Sequence, residues 1–374
     1  MKNCLFILAM VCILTNSNAQ QSIVRTIQHN GLTRDYRIYV PASYKKGQAV
    51  PLVFNLHGFT SNALQQEFYG DFRPIADTAG FILVHPNGTV GGPSNQTFWN
   101  VGFFPSNIDD IGFLEALIDT ISAQYSINSK RIYSTGMSNG GFMSYSLACF
   151  SQRFAAIASV AGSMTNETLQ RCKPARKIPI LEVHGTADQT VPYDGSSGFA
   201  SIPNLLNFWL KINECSSGAN DLLIPDIDVS DGATAEHIIF NCPQFPVEHF
   251  KVMNGAHTWP GAKFNIGVTC QDFNASEEIW KFFNRYELSL NNEDDKELAS
   301  IELFPNPSVD ELNIQSESAY IGNVKILNTR GEIMTNLNCH NTELKLETST
   351  YLPGVYVIEL RINNKVRNFK FVKI

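Results

Sequence analysis

Several features are missing from this 374-residue chain. No two cysteines stand at CxxC spacing and none is grouped with histidines in zinc-site order, so nothing suggests a structural metal. Positive charge is scarce: 28 Lys and Arg face 35 Asp and Glu, for a net charge of −7. That balance gives no reason to expect nucleic acid or an anionic membrane as partner. Past the N-terminus no apolar run reaches the ~20 residues that a membrane helix needs. No internal repeat or low-complexity tract stands out, so nothing points to a repeat architecture.

What remains is globular material, 44% hydrophobic and 17% charged, long enough for one large α/β domain and a smaller companion. The N-terminus differs. Lys2 precedes an apolar core from Cys4 to Leu14, and the small polar run Thr15-Asn16-Ser17-Asn18-Ala19 follows. This pattern predicts a signal peptide over 1–19, cleaved near Ala19, and a mature form without a membrane span. Lipoprotein processing at Cys12 fits less well, because bulky Met10 and Val11 precede it. Export permits disulfides, and locality favours Cys149–Cys172 and Cys215–Cys242, leaving Cys270 and Cys339.

The stretch around which the chain is organised runs from Arg131 to Cys149. A β-forming run, Arg131-Ile132-Tyr133-Ser134, enters a turn crowded with glycine, Gly136-Met137-Ser138-Asn139-Gly140-Gly141. Phe142, Met143, Tyr145, Ser146, Leu147 and Cys149 then recur at helical spacing. A strand, a sharp turn with serine at its apex and a helix form a nucleophile elbow. Strained backbone at Ser138 would project its hydroxyl free of the sheet, and bulk at Gly136 or Gly140 would collide with neighbouring backbone.

Before the elbow, Arg34–Pro41 alternates like an edge strand, and Val50–Leu56 and Gly80–Pro86 read as buried strands. A polar, glycine-rich segment from Thr89 to Asn107 leads to a helix over Asp109–Tyr125. After it, strands are expected at Phe154–Gly162, Ile178–Gly185 and Val247–Met253, and helices at Pro203–Ile212 and Ser276–Tyr286. This alternation predicts a doubly wound, mostly parallel sheet over 20–288, with its ligand site at the carboxyl ends of the strands. A charged linker, 289–298, then precedes a small all-β, sandwich-like domain over 299–374.

A serine hydroxyl needs a base, and the base needs a group that holds its tautomer. Of the 8 histidines, His257 alone falls in a turn after the last strand of the sheet. For the acid, Asp188 follows the strand ending Val183-His184-Gly185, and small residues let its loop fold back; Asp194 is the nearest competitor. Backbone amides of Asn139 and Phe59 are the expected oxyanion donors, with His57 holding the Phe59 loop by hydrogen bonds.

The motifs HGF at 57–59, HPNGT at 85–89, DDIGFLEALID at 109–119, GMSNGG at 136–141, HGTAD at 184–188 and GAHTWPG at 255–261 occur in that order. Together they closely resemble secreted esterases of the polyhydroxybutyrate-depolymerase and feruloyl/acetylxylan esterase group, over roughly residues 20 to 288. The resemblance implies an α/β-hydrolase fold, a Ser138–Asp188–His257 triad, oxyanion donors at Phe59 and Asn139, and no cofactor. It further implies that Trp259 and Trp99 line the acyl-binding cleft. Relatives in this group often carry a cysteine ahead of the Asp-Asp helix, whereas none lies between Cys12 and Cys149 here. The tail, with Phe304-Pro305-Asn306-Pro307-Ser308 and Leu352-Pro353-Gly354-Val355-Tyr356-Val357, resembles the C-terminal sorting domain of type IX secretion. That implies the type IX machinery as a partner and delivery, through the periplasm, to the outer-membrane surface or the medium. The function expected is ester hydrolysis on polysaccharide-linked acyl groups, polyhydroxyalkanoate or small esters. A serine peptidase of the same fold and a non-catalytic polysaccharide-binding protein are the alternatives.

Overall fold

A computed structural model describes residues 21–92, 95–288, 301–316, 320–362 and 365–374. The expected signal peptide and linker therefore lie outside the described residues. Two compact units divide at Leu288 and Ser289.

The first unit begins with β1 (Ile23–His29), β2 (Leu32–Tyr39) and β3 (Val50–Leu56), followed by α1 (Ala63–Tyr69) and α2 (Arg73–Ala79). Next come β4 (Ile82–Pro86), a small hairpin of β5 (Thr89–Gly91) and β6 (Gln96–Phe98), and α3 (Asp110–Gln124). The elbow joins β7 (Ile127–Gly136) to α4 (Asn139–Phe150). Then β8 (Ala156–Val160), α5 (Asn166–Arg171), β9 (Ile180–Gly185) and α6 (Ile202–Ile212) follow. The unit closes with β10 (Ala219–Leu223), β11 (Thr234–Phe240), β12 (Val247–Met253) and α7 (Ala275–Phe283).

These strands form a 10-stranded sheet in the order β1-β2-β4-β3-β7-β8-β9-β12-β11-β10. From β4 to β12 every neighbouring pair is parallel, and antiparallel strands extend both edges. Successive side chains on a strand point to opposite faces. Accordingly Leu52, Phe54 and Leu56 join one core with residues of α3, α4 and α6, while Val53 joins the other with Ala76 of α2 and Ile279 of α7. Apolar runs buried on both faces follow directly from that two-sided cover. Arg34–Pro41 is not the edge: β1, in a stretch with weaker apolar alternation, pairs outside β2.

Both expected disulfides are present, Cys149–Cys172 tying the end of α4 to the end of α5, and Cys215–Cys242 tying the segment after α6 to the end of β11. Cys270 and Cys339 are free and buried.

The second unit comprises β13 (Ile301–Phe304), β14 (Glu311–Ser316), β15 (Gly322–Asn328), β16 (Ile333–Cys339), β17 (Glu343–Glu347), β18 (Gly354–Ile362) and β19 (Lys365–Lys373). They make two antiparallel sheets, β13-β14-β17 and β16-β15-β18-β19. Leu312 and Ile314 of the first sheet share a core with Val324, Ile326, Ile358 and Leu360 of the second, which is the sandwich arrangement.

Candidate active site

The parallel strands all run the same way, so the loops after β7, β9 and β12 leave one rim of the sheet. Ser138 occupies the first of these, as N-cap of α4, at φ 53° and ψ −119°. A non-glycine residue there is strained by roughly 1–3 kcal/mol, and close packing maintains it. A Cβ on Gly136 would lie 2.6 Å from Leu56 O, and one on Gly140 only 2.2 Å from it. The chain therefore turns from strand to helix with backbone pressed on backbone, and only glycine fits either position.

The second and third loops are joined by their backbones. Thr186 N–H donates to Val252 O at 2.8 Å, Ala187 N–H to Gly255 O at 3.0 Å, and Asn254 N–H to Thr186 Oγ1 at 2.8 Å. A Cβ on Gly185 would stand 2.2 Å from Gly255 O. This contact brings the two side chains together: His257 Nδ1 lies 2.7 Å from Asp188 Oδ2. Asp188 Oδ1 accepts from the amides of Thr190 (2.8 Å) and Val191 (2.9 Å). Burial would raise the Asp188 pKa, but the His257 hydrogen bond, the Val191 amide and nearby His184 outweigh it and hold the carboxyl below its usual range. An ionised acceptor at Asp188 keeps hydrogen on His257 Nδ1 and leaves Nε2 as the basic nitrogen. The His257 side chain is 21% exposed, so a substrate can reach it. Ser138 Oγ and His257 are not hydrogen-bonded to each other in this structure.

Gly58 runs beside the serine: a Cβ on it would lie 3.4 Å from Ser138 Cβ and from Met137 O. Among the described residues, the Phe59 and Asn139 amides have no acceptor within hydrogen-bond reach. Two unused donors flanking a serine suit an oxyanion. His57 fixes their loop. Its Nε2 accepts from Gly88 N–H at 2.9 Å, so its hydrogen sits on Nδ1, which faces Gly58 O at 2.7 Å. Burial lowers the His57 pKa to about 4, keeping the ring neutral.

Both tryptophans occupy positions different from those the resemblance implies. Trp99 is fully buried; its ring N–H donates to His57 O at 3.0 Å, and the Asn139 side chain clasps its backbone N–H (2.7 Å) and carbonyl (3.1 Å). Trp259, 1% exposed, donates from its ring to Ser276 Oγ at 3.1 Å and packs edge-on against Phe72. Each ring is held inside by its own polar group, and Trp259 also lines a small pocket with Tyr69 and Lys263. Phe59, 39% exposed, is the aromatic ring that the loop does present to solvent. A further cluster escaped the reading of cysteine spacing. Asp231, Cys270 and Asp272 bring ligand-type atoms within 4.8 Å of one another. Their carboxylates already accept the amides of Gln271, Ala233, Ile227 and Asp228, which staples the loop instead of leaving it open for an ion.

Residues 302–374 match the secretion system C-terminal sorting domain, and 71–173 match the prolyl oligopeptidase family. The chain is 32% identical over 188 residues to feruloyl esterase B of Piromyces equi, covering 47% of this chain and 35% of that protein. It is 28% identical over 173 residues to the bifunctional acetylxylan esterase/xylanase XynS20E of Neocallimastix patriciarum, covering 46% and 24%. It thus spans about a third and a quarter of those relatives' lengths. With the putative esterase NocK of Nocardia uniformis subsp. tsuyamanensis it shares 30% identity over 257 residues, covering 63% of this chain and 73% of that one. The chain belongs to this α/β-hydrolase esterase family. In this chain the sorting-domain match follows the hydrolase unit, which marks a secreted protein.

Proposed function

We propose that the chain is a secreted serine carboxylic-ester hydrolase with Ser138, Asp188 and His257 as its triad and the Phe59 and Asn139 amides as its oxyanion hole. The observation that carries this reading is the Asp188–His257 pair at 2.7 Å, on the same sheet rim as a strained serine. His257 Nε2 takes the hydroxyl proton as Ser138 attacks the ester carbonyl. The tetrahedral oxygen accepts from the two amides, and His257 then protonates the leaving alcohol. Water, activated by the same imidazole, releases the acid and restores the serine. A bond between nucleophile and base often forms only once substrate is in place, which is compatible with the open Ser138–His257 pair here.

The names of the relatives support acyl groups on plant polysaccharide, feruloyl or acetyl, as the substrate class. Polyhydroxyalkanoate is the second candidate, and hydrolysis of methyl ferulate, acetylated xylan and a polyhydroxybutyrate film separates them. The prolyl oligopeptidase match favours one competing reading, a peptidase, which a peptide panel tests. Delivery to the outer-membrane surface by type IX secretion, with removal of the tail, completes the proposal. Ser138→Ala is expected to abolish p-nitrophenyl acetate hydrolysis and fluorophosphonate labelling while leaving the thermal unfolding curve intact. Activity retained in that variant overturns the assignment.

A further inference from the structure

Two ionisable side chains on β9, Glu182 and His184, play no part in the hydrolysis just described. Both are fully buried in a strand that is otherwise apolar, where an unpaired charge costs several kcal/mol. Two residues apart, they point to the same face, and Glu182 Oε1 lies 2.9 Å from His184 Nδ1. Glu182 Oε2 accepts from the Tyr145 hydroxyl at 2.8 Å. On the other edge of the ring, His184 Nε2 is 2.8 Å from Val191 O and 3.4 Å from Asp188 Oδ2. A carbonyl only accepts, so Nε2 carries a hydrogen. The same Val191 gives its amide to Asp188 Oδ1. The Asp188 loop is thus held at its carbonyl by His184 and at its amide by Asp188.

We propose that Glu182 and His184 are positioning residues: the pair clamps the Asp188 loop through Val191 and sets a positive imidazole edge against the Asp188 carboxylate, which in turn orients His257. Its catalytic consequence rests on the esterase reading, whereas its effect on the His257 imidazole does not. Burial opposes a charged His184, but the Glu182 carboxylate, followed by Asp188, outweighs it and raises the His184 pKa; burial also raises Glu182, against the hydrogen bonds of His184 and Tyr145. The other groups facing the pair are accounted for. Tyr145 of α4 is pushed well above its ordinary range by burial, and Tyr193, whose ring lies 6.0 Å from His184, is pushed up to about 12. From β12, His249 bonds Glu182 O at 3.0 Å and is lowered by burial to about 3, and Lys251 pairs in register with His184. Strand β8 contributes the uncharged Ser159, and α7 packs on the opposite face, in the core that holds Leu181 and Val183. The ionisable group nearest Asp188, apart from His257, is therefore His184. A positive charge at His184 repels one on the neighbouring imidazole, so its removal should be felt at His257.

Glu182→Gln keeps the size and an acceptor for Tyr145 but discharges the pair. Two readouts are compared with wild type: the titration midpoint of the His257 imidazole by NMR, which needs no substrate, and the pH profile of kcat/KM on p-nitrophenyl acetate. The expected result is an upward move of roughly half a pH unit in both the midpoint and the acid limb, with kcat/KM falling about tenfold at the optimum. Tyr145→Phe removes only the hydroxyl that stabilises the carboxylate, and should move both in the same direction by less; it decides the matter if Glu182→Gln does not fold. An unmoved His257 midpoint in the folded variant overturns the proposal. A wild-type protein that hydrolyses no ester sinks the esterase reading instead, and the NMR titration still decides the pair.

Discussion

At Ser138 the backbone sits at φ 53°, a cost met by contacts that no single-residue preference foretells. Asp188 and His257 were legible because each follows a buried strand in a run of small residues, and their 2.7 Å contact supports both choices over Asp194. Trp99 and Trp259 were not legible, since a tryptophan that lines a cleft and one that braces it look alike until burial and ring hydrogen bonds are known. Glu182 did leave a signal: a carboxylate inside the run Ile180-Leu181-Glu182-Val183 demands a partner. At this scale one pH effect is expected. Burial lowers His57 and His85 to about 4 and His249 to about 3, from an ordinary 6.5. A depressed folded value means that, below pH 6.5, the unfolded chain binds protons that the folded chain refuses. Stability from these rings is therefore complete above that pH and is lost as pH falls toward 4, each contributing on the order of 3 kcal/mol. Melting temperatures recorded between pH 7 and pH 4 should fall steadily; a flat profile contradicts the neutral, buried assignment.

Among the elements, the turn between β7 and α4 depends most narrowly on sequence. A Cβ on Gly140 would meet backbone at 2.2 Å from Leu56 O and 2.8 Å from His57 O, and no rotamer change relieves a clash with backbone. Gly140→Ala is expected to cost about 2–4 kcal/mol and to lower kcat/KM more than tenfold, because the same shift displaces Ser138 and Asn139. Unchanged denaturant midpoint and activity would show that the elbow tolerates the methyl group. Longer helices were readable from periodicity: α3, with 15 residues, shows its apolar stripe and an Asp109 cap that accepts from Gly112 N–H. The short α1, α2 and α5, of 7, 7 and 6 residues, fit too few turns for a period to emerge. Exposed β10 and the outer β1 lacked the alternation that marks a half-buried strand, because most of their residues face solvent.

For the molecule as a whole, the hydrolase unit and the tail each possess a core of their own. We expect a chain spanning 21–288 to fold and to hydrolyse p-nitrophenyl acetate at a rate within about twofold of the full-length protein, measured beside its melting curve. Collapse of that fragment would show that the tail is part of the hydrolase fold. The central strands and longer helices, the elbow and the two local disulfides were determined by the sequence alone, because each is written in neighbouring residues or in short loops. Tertiary structure decided what distant segments do to one another. It put both indoles in the core, left the Phe59 and Asn139 amides without acceptors, and set Glu182 and His184 against the Asp188 loop. Those outcomes depend on which strands lie side by side, and adjacency in a sheet is settled by packing across the whole fold.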